Sequence, residues 1–168
     1  MIAKIPSGEV GSKWRHAPIE EQPRAVILDP TCRARLKKMF YRVSKKQVPS
    51  PWIFCRDAIQ KSGECYVPMK AYDDGKFKWE DILSTLSAKG ANLVMIEGGG
   101  VVINDVLAQR MADVIIISIA PVFLGRDGVG VLPILQEPDW LEDVQGITVG
   151  RDFVVAGRIK RDEVAQKL

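Results

Sequence analysis

The chain has 168 residues, with 24 Lys and Arg against 21 Asp and Glu, a formal net charge of +3 and a single histidine. A hydrophobic fraction of 46% beside 27% charged residues is ordinary globular usage, which excludes disordered, collagen-like and coiled-coil chains and makes one domain the default. No run approaches the roughly 18 to 20 apolar residues of a membrane span, and Met1 to Pro23 carries scattered charges with no apolar signal core, so a cytoplasmic protein without a membrane or nucleic-acid partner is expected.

Cys32, Cys55 and Cys65 are an odd count at spacings that match neither a CxxC metal pair nor a disulfide framework, so reduced thiols and no metal are expected. His16 stands alone in a polar leader, which leaves no second histidine for a zinc site. The basic residues between Arg33 and Lys46 read as a solvated helix face, since the overall positive excess is small.

Met1 to Pro23 holds Pro6, Gly8, Gly11, Pro18 and Pro23 with no sustained period, and reads as an extended arm. Ala25 to Leu28 is a short apolar run ending in Asp29-Pro30, the pattern of a strand buried on both faces that meets a turn. Thr31 is a candidate cap for a helix over Cys32 to Arg42, and Pro49 and Pro51 break the pattern after it. Pro51 to Cys55 and Cys65 to Lys70 are further strand candidates, followed by the turn signal Asp73-Asp74-Gly75. Trp79, Ile82, Leu83 and Leu86 then give helical spacing, with Gly90 placed as the carboxy-terminal cap. Leu93 to Ile96 reads as an apolar strand running into Glu97-Gly98-Gly99-Gly100, after which Ile103, Val106, Leu107 and Met111 resume a helical period. Val114 to Ala120 is β-branched and ends at Pro121, a glycine-rich loop spans Gly125 to Gly130, and Ile147 to Ile159 reads as a hairpin around Gly150-Arg151-Asp152. Strands alternating with helices predict an α/β domain with a mostly parallel central sheet and a mixed edge.

The glycine triplet between a strand and a helix lets backbone approach a ligand, and helix N–H groups favour phosphate there. It is neither a GxGxxG fingerprint nor a Walker loop, so a phosphate or dinucleotide site at Gly98 to Val102 and a plain tight turn both stay open. Glu97, at the edge where ligands of open α/β sheets gather, is placed to accept hydrogen bonds from a ribose or pyrimidine, or to serve only as a charge partner of the helix start. Asp29-Pro30 occupies the same position after another strand. Gly75-Lys76 and Arg126 offer turns with a cation, and surface turns are their simpler reading.

QPRAVILDP (Gln22 to Pro30), LVMIEGGGVVIN (Leu93 to Asn104), ADVIIISIAPVFLGRDG (Ala112 to Gly128) and GRDFVVAGRI (Gly150 to Ile159) together resemble the reductase family of riboflavin biosynthesis in its fungal and archaeal form. That family is similar to the reductase domain of the bacterial bifunctional deaminase-reductase. The resemblance implies a dihydrofolate-reductase-like α/β fold, NADPH as cofactor, a homodimer, and reduction of the ribosyl group of a pyrimidinone ribosylamino phosphate to ribityl. It also implies cofactor contacts at Asp29, Pro30, Gly75, Lys76, Gly98, Gly99, Gly100, Val101 and Val102, and a substrate contact at Glu97.

The family carries a first strand, a helix and a second strand before the QPRAVILD-like strand, and only Met1 to Glu21 precede Gln22 here. The chain therefore reads as amino-terminally shortened, with an arm over residues 1–21, a reductase-like domain over 22–162 and a tail over 163–168. Two classes stay open: an NADPH-dependent reductase, and a catalytically impaired homologue acting as a binding or scaffold subunit or a fragment. Lys76 and Arg126 are candidates for a 2′-phosphate contact.

Overall fold

The computed structural model describes residues 17–59, 63–72, 75–125, 128 and 141–160. The arm before Ala17, Asp73 and Asp74 of the predicted turn, Arg126 and the tail lie outside the described residues. The chain divides into two compact units, Met1–Gly98 and Gly99–Leu168.

The first unit is built on three parallel strands in the order β1-β2-β3: β1 (Val26–Leu28), β2 (Trp52–Arg56) and β3 (Tyr66–Met69). Ile27 faces Ile53 in the β1–β2 register, and Phe54 faces Val67 in the β2–β3 register. The run of Ile53, Phe54 and Cys55 is completely buried, so it is β2, the middle strand, that is covered on both faces. The sequence assigned that environment to Ala25 to Leu28. There only Ile27 is buried, because β1 is an edge strand of its sheet.

Helix α1 (Lys37–Ser44) starts five residues later than Cys32, where the sequence placed it. Asp29 explains the delay. Its carboxylate accepts the backbone N–H groups of Arg33 at 3.0 Å and Ala34 at 2.8 Å, and Cys32 adopts a left-handed φ of 51°, so the chain after β1 is held in a turn.

Helix α2 (Trp79–Ala88) matches its periodicity, burying Trp79, Ile82 and Leu86, with Glu80 and Asp81 in the first turn favouring the amino-terminal dipole. Gly90, at φ +84°, closes it as expected. Its N–H donates to Ser87 and that of Ala91 to Leu86, the paired bonds of a Schellman motif.

Leu93 to Ile96 is not a strand. The segment has no ladder partner among the described residues, and Leu93 and Met95 are 92% and 67% exposed. Apolar β-branched content makes a strand only where a neighbouring edge supplies hydrogen bonds, and here none does.

The second unit holds α3 (Gly100–Ala108) and an antiparallel sheet in the order β4-β6-β5, with β4 (Val114–Ile119), β5 (Leu141–Val149) and β6 (Asp152–Ile159). The hairpin turns at Gly150, φ +62°, as the sequence indicated, but β5 begins at Leu141, ahead of the predicted Ile147, and carries a register shift between Glu142 and Gln145. The expected mixture of parallel and antiparallel pairing with helices is present, divided over two sheets. Among the described residues nearly the whole buried apolar core, from Ile27 to Leu86, belongs to the first unit, while the second buries only Val106 and Ile159. No described helix is long and apolar enough to cross a membrane.

Candidate functional site

In a parallel sheet the loops after the strands' carboxyl ends converge on one edge, which is where ligands of such sheets bind. At that edge of the first unit, β1 ends in Asp29-Pro30, β2 in Arg56 and β3 in Met69. The backbone N–H of Asp29 donates to Phe54, and that of Arg56 reaches the Pro30 carbonyl at 3.5 Å, which draws the two strand ends together.

The loop after β3 folds back through bonds from the Gly75 N–H to the Tyr72 carbonyl at 2.7 Å and from the Tyr72 N–H to the Lys76 carbonyl at 3.1 Å. Gly75 takes φ +78°, a conformation glycine adopts without penalty, and its carbonyl accepts Nη2 of Arg56 at 3.2 Å. Arg56 thus ties Asp29-Pro30 to Gly75-Lys76. These were candidates on separate grounds, and the structure brings them together. Arg56 itself carried no sequence signal beyond ending an apolar run. Its significance comes from a bond to Gly75 across nineteen positions.

Asp29 contributes through shape. Both carboxylate oxygens are taken by the Arg33 and Ala34 amides, and its carbonyl accepts the Cys32 N–H at 3.0 Å. The turn also fixes Thr31, whose Oγ1 accepts Nε of Arg33 at 2.8 Å. Tyr72 lies close to two cations, Lys78 Nζ at 4.2 Å and Lys70 Nζ at 5.5 Å from the ring centroid. Its hydroxyl donates to Asp81 Oδ2 at 2.9 Å.

Glu97 is half-buried and closes a groove of about 630 Å³ lined by Val26 and Leu28 of β1, by Trp79 and Ile82 of α2, and by Leu93 to Ile96. Gly98 follows it, exposed.

Gly99, Gly100, Val101 and Val102 lie in the second unit, at the start of α3. Gly99 is the N-cap at φ −75°, and no side chain caps the helix. None of the three glycines has a positive φ, so backbone conformation does not demand glycine here. A Cβ added to Gly99 would meet nothing within 4 Å. What the missing side chains leave is open access to the first N–H groups of α3. Among the described residues no cluster of His, Cys, Asp and Glu is arranged to hold a metal ion, and the three cysteines are free thiols.

The chain matches the family model described as the RibD C-terminal domain over residues 2–156. It is 34% identical over 144 residues to the 2,5-diamino-6-ribosylamino-4(3H)-pyrimidinone 5′-phosphate reductase of Kluyveromyces marxianus, covering 82% of this chain and 57% of the relative. The archaeal protein of that name from Archaeoglobus fulgidus is 22% identical over 121 residues, covering 72% of this chain and 55% of the relative. Among solved structures, the riboflavin biosynthesis reductase Rib7 of Saccharomyces cerevisiae superposes with a TM-score of 0.70 at 28% identity, covering 82% of this chain and 65% of that one. RibD of Acinetobacter baumannii gives 0.62 at 21% identity, covering 84% and 38%. These likenesses bear out the dihydrofolate-reductase-like α/β fold. The chain spans a little over half the length of the curated relatives it matches.

Proposed function

The chain belongs to the RibD C-terminal domain family, and from that membership we propose that it is an NADPH-dependent reductase of riboflavin biosynthesis. Its reaction is the reduction of the ribosyl group of 2,5-diamino-6-ribosylamino-4(3H)-pyrimidinone 5′-phosphate to ribityl, the substrate named by its relatives. The observation that carries the reading is the convergence of Asp29-Pro30, Arg56 and Gly75-Lys76 at the carboxyl edge of the parallel strands.

Two features fit a dinucleotide. The buried Nε of Arg56 has no hydrogen-bond partner among the described residues, a condition an anion relieves. Gly99 leaves the α3 amino terminus uncovered and open to a pyrophosphate. When bound, NADPH supplies the hydride. The chain's own part is positioning. Within the first unit the turn shaped by Asp29 and Pro30 and the Gly75-Lys76 loop contact the cofactor and Glu97 accepts hydrogen bonds from the substrate's pyrimidinone, while the glycine segment Gly98 to Val102 is taken by itself as a phosphate-binding helix start. The working form is a cytosolic homodimer, with residues 22–162 as one reductase domain.

A second reading, a binding or scaffold subunit or a fragment without turnover, is favoured by the Leu93 to Ile96 segment, which lines a groove with β1 and joins no strand ladder among the described residues. Titration with NADPH, followed by the fluorescence of the four tryptophans, tests the first reading. Saturable quenching that disappears in Gly99→Val is the expected result, and no binding at millimolar NADPH overturns it. Adding the pyrimidinone phosphate then separates the two, because substrate-dependent NADPH oxidation sinks the scaffold reading and binding without oxidation supports it.

A further inference from the structure

A net charge of +3 conceals how the charge is distributed. Between Asp29 and Asp57 the chain has eight Lys or Arg and no acidic residue, so this stretch carries +8, while the remaining 16 basic and 21 acidic residues carry −5. At the centre of the basic stretch lies α1, a helix that buries none of its residues. On one side Leu36, Met39 and Val43 are half-buried. On the other, Lys37, Lys38, Tyr41, Arg42 and Lys45 are exposed and fall within about 140° of the helix circumference, at 3.6 residues per turn. None of these four cations makes an ion pair among the described residues.

This charge works against the helix that carries it. Lys37 and Lys38 stand in the first turn, where the dipole favours acids, and neither an acid nor a side-chain cap is present there. Lys38 and Arg42 are like charges at i, i+4, and so are Arg42 and Lys46. A solvated face gains nothing from that arrangement, whereas a polyanion laid along it offsets every repulsion. Tyr41 sits in the middle of the face, 61% exposed, with Lys45 Nζ 5.7 Å from its ring centroid. Cations around an exposed aromatic ring suit a single strand of nucleic acid, whose phosphates pair with the former and whose unpaired bases stack on the latter. An acidic peptide has no base to stack. An anionic bilayer takes up an apolar helix face, and that of α1 is the half-buried side.

We propose that the outward face of α1 binds single-stranded RNA, with Lys37, Lys38, Arg42 and Lys45 taking phosphates and Tyr41 stacking on a base. The test is fluorescence anisotropy of a labelled oligouridylate of about twelve nucleotides, at salt concentrations from about 50 to 300 mM. It compares the full chain with a Lys38→Glu, Arg42→Glu double variant, with Tyr41→Ala and with Tyr41→Phe, all at exposed positions, and thermal melts establish that each is folded. The logarithm of the affinity should fall against that of salt with a slope of about −2 to −3, as three or four phosphate contacts give. The double charge reversal should lower affinity at least about tenfold and flatten that slope. Tyr41→Ala should weaken binding about 5- to 50-fold with the slope unchanged, and Tyr41→Phe should retain it, since stacking needs only the ring. No binding at about 50 mM salt overturns the proposal, and so does binding indifferent to the charge reversal. Displacement of the oligonucleotide by NADPH would put it in a dinucleotide site and overturns the assignment to α1. Tighter binding of oligothymidylate overturns the choice of RNA. Equal competition by polyglutamate, or co-sedimentation with phosphatidylserine vesicles without RNA binding, would give the face to an acidic protein or a membrane instead.

Discussion

The ring of Phe153 lies across the backbone of Gly146 on the neighbouring strand, so close that a Cβ added to the glycine would stand 2.5 Å from Cζ. Phe153 pairs with Thr148 in the β5–β6 register, so its ring reaches diagonally to cover a strand position that has no side chain of its own. The obstacle is the far end of a side chain that is 44% exposed and free to turn outward. Gly157, on β6, is enclosed differently. An added Cβ there meets Cβ of Leu141 at 2.9 Å and the Glu142 carbonyl at 3.3 Å, atoms tied to the backbone. Gly157→Ala should therefore cost about 1–3 kcal/mol, as overpacking does, and Gly146→Ala clearly less. Urea denaturation of the two variants measures both, and equal losses would contradict the argument.

Leu86 is 1% exposed and is the third buried position of α2, after Trp79 and Ile82. Leu86→Ala should lower unfolding free energy by about 2–5 kcal/mol, the range for a buried leucine truncated into a cavity. Chemical denaturation reads the loss.

Lys46 closes α1 in a left-handed conformation, φ 53°, donating its N–H to Val43 while Gln47 donates to Arg42. That position suits glycine, and a lysine there bears the strain of its Cβ. Lys46→Gly should raise stability, by up to about 1 kcal/mol once the extra freedom of the unfolded glycine is subtracted. A thermal melt that moves down would refute it.

The bond from Tyr72 to Asp81, together with desolvation and the negative charges of Asp81 and Glu80, holds the phenol above its ordinary value of 10.0. The folded state thus keeps this proton more tightly than the unfolded chain. The contribution is complete below pH 10 and drains away as pH rises through the raised value. Tyr72→Phe should flatten the alkaline decline in stability, and phenolate absorbance, in which Tyr66 is also held above its ordinary value, should lose one of its late-titrating tyrosines in the variant.

The second unit exposes apolar residues on a scale unusual for a monomer. Ile116 and Ile119 of β4 are 66% and 51% exposed, Ile147 of β5 is 61% and Phe153 of β6 is 44%. Light scattering at micromolar concentration should give a dimer for the wild type and a monomer for Ile116→Lys, whose charge would be buried in a shared sheet face. A monomeric wild type would remove the basis for the dimer.

Much of the fold was legible because it depends on neighbours in sequence. The spacing of Trp79, Ile82 and Leu86 and the stop at Gly90 describe α2 completely, since a helix satisfies its hydrogen bonds within itself. Gly150 marked the hairpin for a similar reason, a turn being a local conformational demand. The candidate positions Asp29, Gly75 and Gly98 to Val102 were likewise visible as residues that interrupt periodic segments. The start of α1 was misjudged because Asp29 takes the amides of Arg33 and Ala34, a competition for N–H groups that composition does not reveal.

By itself, then, the sequence determined the class of the domain, its strongest helix, its turns and the glycine segment at the start of α3. Only the tertiary structure decided that Leu93 to Ile96 joins no strand ladder among the described residues, that Ile53 to Cys55 rather than Ala25 to Leu28 is the strand buried on both faces, and that Arg56 links Pro30 to Gly75. The reason is common to all three. A strand exists through hydrogen bonds to a partner distant in the chain, burial depends on what lies on each side of it, and a guanidinium acquires a role from groups many residues away, none of which a local pattern encodes.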